Sequence, residues 1–101
     1  VPLESLDAGP GAPSTRWADL GPLFESTTSA VSAGIWEMEP GIAFDTESEE
    51  VFVVLSGEAR IAFLDSGEDL LIRQGDLVRL SAGSRTRWTV TRTVRKLYLT
   101  P

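Results

Sequence analysis

Cysteine and histidine are both absent from the 101 residues. Without cysteine there are no disulfide staples, no thiolate metal sites and no thiol nucleophile. Without histidine the commonest general base and the commonest metal ligand are gone. Ser-His-Asp and Cys-His mechanisms are therefore impossible within this chain. Long apolar runs are missing too, and none approaches the ~20 residues a helix needs to cross a bilayer. The N-terminus carries neither the basic nor the apolar region of a secretion signal, so a cytoplasmic location is the expectation. Positive charge is scarce, with nine Lys and Arg against fifteen Asp and Glu and a net charge of −6. So acidic a surface repels nucleic acid and anionic membranes. The basic clusters, Arg85/Arg87 and Arg92/Arg95/Lys96, fall among apolar residues and read as solvated strand faces.

What is present suits one small domain. Apolar residues make up 42% of the chain, enough to fill one core at this length. Residues 1–32 are punctuated by Pro2, Gly9, Pro10, Gly11 and Pro13, and no period lasts there. They read as an extended N-terminal arm, with Trp17, Leu20, Leu23 and Phe24 apolar enough to dock, and with a short helical turn at 17–20. Residues 33–101 read as successive strands: 33–38, 51–55, 59–64, 70–73, 77–80, 87–93 and 94–100. Pro40-Gly41, Ser56-Gly57, Asp65-Ser66-Gly67-Glu68, Gln74-Gly75-Asp76 and Ser81-Ala82-Gly83 separate them, and the stretch from Gly41 to Glu50 reads as a loop. Turn signals this frequent belong to an all-β sandwich or barrel.

Two stretches resemble the signature motifs of the cupin superfamily. Gly75, five residues, Ser81, Ala82 and Gly83 follow the second motif, with Ser81 in place of its Pro and Thr86 in place of its metal-binding His. Glu50, six residues and Gly57 follow the latter half of the first motif. Its histidines would fall within residues 43–46, where none stands, although Phe44 and Thr46 lie at or near those positions. Closer still, Gly34-Ile35-Trp36-Glu37, Pro40-Gly41, Gly57-Glu58, Gly75-Asp76-Leu77, Trp88 and Val94-Arg95-Lys96-Leu97-Tyr98 are similar to small one-domain cupins related to ureidoglycine aminohydrolase and the ethanolamine-utilisation cupin. The resemblance covers residues 33–98. It implies a cupin-type jelly-roll β-barrel, usually a dimer, with a pocket inside.

Strand parity then orders the side chains. If Glu50 faces inward, so do Phe52 and Val54, while Val51, Val53 and Leu55 form a second apolar face that needs cover. A homodimer is expected on that ground. If Thr86 faces inward, so do Trp88 and Val90. Lys96 and Tyr98 share a face, and an inward lysine needs a partner, for which Glu50 is the natural candidate. Glu47 and Glu49 read as solvent-facing. The candidate catalytic groups are Glu50, Lys96 and Tyr98, and the candidate ligand-binding residues are Trp36, Phe52, Thr86 and Trp88. No metal ligand set and no cofactor is expected.

The function that follows is binding of a small polar or carbohydrate-like molecule in the barrel, without a histidine metal site. Whether the chain is an enzyme stays open. A metal-independent enzyme and a non-catalytic ligand-binding or sensory module fit the residues about equally. Glu47, Glu49 and Glu50 as a carboxylate site for Mn²⁺ or Mg²⁺, and a structural role in a larger assembly, are the remaining readings.

Overall fold

Among the described residues, turns separate eight strands, two of which are much longer than the spacing of turn signals suggests. The computed structural model describes residues 2–6, 13–23 and 31–101. Its strands are β1 (Glu4–Leu6), β2 (Thr15–Pro22), β3 (Ser32–Met38), β4 (Gly41–Thr46), β5 (Glu50–Phe63), β6 (Asp69–Arg73), β7 (Leu77–Leu80) and β8 (Arg85–Thr100). Among the described residues there is no helix.

The sequence places a break at Ser56-Gly57, but β5 runs through it. The reason is a cluster of register shifts against β8 between Val54 and Ala59. Such bulges bend a strand and deepen its twist without ending it. Gly57 makes the bend possible. Its φ is +90°, and a Cβ there would lie 2.0 Å from the Thr93 carbonyl oxygen. The expected break between residues 93 and 94 is likewise absent, because β8 bends with its partner.

Bent in this way, β5 and β8 belong to two layers at once. The first half of β5 and the second half of β8 sit in a layer ordered β1-β2-β3-β8-β5-β7. Their other halves sit in a layer ordered β4-β8-β5-β6. Between the layers lies the core, including Met38, Phe52, Val54, Ile61, Ile72, Leu80, Trp88 and Val94. This is an all-β jelly roll. It is an open one, since β4 and β7 branch off the main strand path and no pairing among the described residues closes a ring.

Two local expectations are corrected. Residues 17–20 are strand, not a helical turn. β2 pairs with β3 from Thr15↔Met38 to Pro22↔Ser32, and this pairing outweighs any four-residue helical preference. The expected loop between Gly41 and Glu50 is largely β4, which pairs with β8 from Gly41↔Val90 to Thr46↔Arg85. Phe24, expected to dock on the domain, lies outside the described residues.

Candidate functional site

Parity and register bring the aromatic residues together. Across the first layer, Trp17 pairs with Trp36, Trp36 with Lys96, and Lys96 with Val54. Gly34 pairs with Tyr98 in the next inward row. A Cβ on Gly34 would meet the Tyr98 ring at 2.3 Å, so glycine is what lets the phenol lie against the β3 backbone. The result is a cavity of about 570 Å³, walled by Trp17, Trp36, Trp88 and Tyr98 among others. That volume is in the usual range for small-molecule sites.

Lys96 lies at the back of this cavity and is 5% exposed. Its Nζ is 2.5 Å from Oε2 of Glu50, the first residue of β5. Four rings surround the ammonium, with centroids at 4.5 Å for Phe52, 4.8 Å for Trp36, 5.2 Å for Trp88 and 5.9 Å for Tyr98. Each ring face attracts a cation, and withdrawal from water strengthens the effect. The carboxylate and the rings together supply what a buried charge requires. The rings also brace one another, Trp36 against Trp88 at 5.4 Å and Phe52 against Trp88 at 5.9 Å.

A second carboxylate lies on the same wall and was not anticipated. Glu47, expected to face solvent, is 8% exposed. It follows β4 on a short segment pinned to the turn before β8, with its N–H donating to the Ser84 carbonyl and its own carbonyl accepting from Gly83 N–H, both at 2.8 Å. Its Oε2 accepts two hydrogen bonds, from the Thr86 hydroxyl at 2.6 Å and from the Trp88 indole N–H at 2.9 Å. Both donors come from the inward parity set of β8. An inward Thr and Trp two residues apart need a buried acceptor, and that was the signal in the sequence. Glu49, by contrast, is exposed as expected and lies 3.8 Å from Arg79.

Other groups complete the cavity. Asp45, exposed at its rim, has its carboxyl pushed up, chiefly by partial withdrawal from water and next by the Glu47 charge. Tyr98 is also pushed up, by burial first and then by the Asp19 and Glu50 carboxylates, so its phenol keeps its proton at neutral pH. Of the candidate residues, Glu50, Lys96, Tyr98, Trp36 and Trp88 all line the cavity. Phe52 and Thr86 do not. They are 1% and 0% exposed and stand behind the wall, Phe52 beneath Lys96 and Thr86 beneath Glu47.

The residues at the positions where the cupin resemblance puts metal ligands do not suit a transition metal. Phe44 is apolar and 69% exposed, Thr46 is exposed, and the Thr86 hydroxyl is committed to Glu47. Among the described residues no three His, Cys, Asp or Glu side chains are grouped to hold an ion. Glu47, Glu49 and Glu50 diverge to Thr86, Arg79 and Lys96, so they do not form a shared carboxylate site.

Comparison with known proteins gives the family and the fold. Residues 25–98 match the model of the EutQ-like cupin domain. The structure of the EutQ protein of Clostridium difficile is similar over 99% of this chain and 79% of that one, at 25% identity and a TM-score of 0.80. The polyketide cyclase RemF of Streptomyces resistomycificus matches 100% of this chain and 73% of its own, at 22% identity and a TM-score of 0.75, a likeness of fold alone. A DUF861 family protein of Thermotoga maritima is 35% identical over 63% of this chain and 73% of its own, with a TM-score of 0.59. A search of curated proteins finds no match.

Proposed function

Starting from the fact that the chain belongs to the EutQ-like cupin domain family, we propose that it binds a small polar molecule in its cavity, using only its own side chains. The observation that carries this reading is the Lys96–Glu50 pair, a polar anchor built on a buried lysine and set among aromatic rings in a cavity of ligand size. An apolar, aromatic wall with a few placed polar groups is what small-molecule recognition requires.

Binding is favoured over catalysis because the candidate acid–base groups are engaged. Lys96 and Glu50 hold each other, and Tyr98 is pushed away from the range in which a phenol exchanges protons at neutral pH. Their role in this reading is to position a ligand.

All three tryptophans of the sequence, Trp17, Trp36 and Trp88, line the cavity, so the indole signals report on this site alone. A fragment library screened against the indole N–H resonances should produce saturable shifts. Absence of any hit at millimolar concentration would refute the proposal.

A further inference from the structure

The cavity holds an unbalanced set of charges. Four ionisable side chains of fixed sign line it: Asp45, Glu47, Glu50 and Lys96. Glu50 and Lys96 neutralise each other at 2.5 Å. Asp45 and Glu47 are left, and no arginine lines the cavity among the described residues. The charge of Glu47 also bears on Asp45, one of the causes that push the Asp45 carboxyl up. Two carboxylates near one another favour whatever supplies a positive charge between them.

Glu47 adds a second, independent observation. It is more than nine-tenths buried, yet both of its hydrogen-bond donors converge on Oε2. Among the described residues no donor reaches Oε1, and the side chain lines the cavity. Oε1 is open to the cavity, so a donor entering there meets a carboxylate oxygen that no described protein group occupies. The aromatic wall beside it suits the same occupant, since ring faces attract cations.

Resting on the reading that the cavity is a binding site, we propose that its ligand class is a small organic cation with N–H donors. An ammonium or amidinium group would sit between Glu47 and Asp45, against the tryptophan faces. Lys96 positions the ligand as a built-in cation, holding Glu50 and filling the innermost ring cage, and leaves the outer carboxylates for the incoming charge.

The test is a charge series of nearly constant size: 3-aminopropan-1-ol, propane-1,3-diol and 3-hydroxypropanoate, titrated against the indole N–H resonances. The aminoalcohol should bind at least about tenfold more tightly than the diol, the scale of one charge-assisted hydrogen bond. It should also shift Trp88 most, because that indole shares the Glu47 carboxylate. Glu47→Gln, whose carbonyl can keep both protein donors, should remove most of this preference. Asp45→Asn, at the exposed rim, should reduce it without touching the fold. Equal binding of the three probes, or preference for 3-hydroxypropanoate, would overturn the cationic class while the binding cavity stands. The same holds if the library yields only neutral or anionic binders. If no probe and no library member perturbs the indoles, the binding reading itself falls.

Discussion

The two faces of the first layer are built by the same strands, one residue out of step, and they could hardly differ more. On the inner face one cross-strand row reads Trp17, Trp36, Lys96, Val54. On the outer face the adjacent row reads Ala18, Ile35, Leu97, Val53, Leu77. The inner row is aromatic and charged, and the outer is wholly aliphatic. A charge set among rings fixes one geometry, because displacing either partner strands the other. An aliphatic row has no such demand and gains by covering any flat apolar surface. One face therefore holds a fixed polar geometry and the other a plain apolar one.

The sharpest way to break this contrast is to remove the inner charge. Lys96→Met leaves Glu50 half-buried and unmatched, and should cost on the order of 3 kcal/mol in chemical denaturation. Arg92→Met is the control, since Arg92 is exposed and reaches Glu58 only at 3.5 Å. It should cost under about 1 kcal/mol. Equal small losses would place Lys96 in an environment no different from the surface.

A middle-sized effect tests the outer face. We expect a homodimer at tens of micromolar, formed by a second copy covering Leu77 at the exposed end of the outer row, where Ala18 and Ile35 are already buried within the chain. Leu77 is 74% exposed in the single chain, so little internal packing depends on it. Leu77→Lys should yield monomers by light scattering, with chain stability changed by less than about 0.5 kcal/mol. A wild-type protein already monomeric at that concentration would refute the pairing.

The smallest effect lies at the rim. Asp45 holds its proton to higher pH when folded than when unfolded, because partial burial and Glu47 oppose its charge more than Lys96 and the Thr46 N–H support it. The stability linked to this group is present below the ordinary aspartate range and lost as pH rises through the raised value. Asp45→Asn should therefore melt slightly above wild type near neutral pH. The difference should vanish under acidic conditions, where both side chains are neutral. A variant that melts lower at neutral pH would contradict the sign.

How much of this was legible beforehand follows from where period two holds. Between Glu50 and Val54, and again between Thr86 and Val90, the strands are free of register shifts, and parity sorts inner from outer residues correctly. At the bulges between Val54 and Ala59 it cannot be carried through, so one bent strand reads as two. β4 is hidden for another reason. Ile42 and Phe44 are 55% and 69% exposed, so no buried alternation marks it, and only its register with β8 makes it a strand. Glu47 was misjudged because Glu47-Ser48-Glu49-Glu50 has the composition of a solvated turn. The donors that hold it inward lie 39 and 41 residues further on. Such long-range polar matching leaves no mark in local composition.

Lys96 is the only lysine of the sequence, and every other basic side chain is a guanidinium. Apart from the terminal amine, the protein therefore presents no primary amine to the solvent unless the cavity opens. Reductive methylation followed by peptide mapping thus becomes a clock. The rate at which Lys96 gains methyl groups, divided by that of a free lysine side chain, measures the fraction of time the aromatic cage stands open. A molecule held in the cavity would slow that clock without any label of its own.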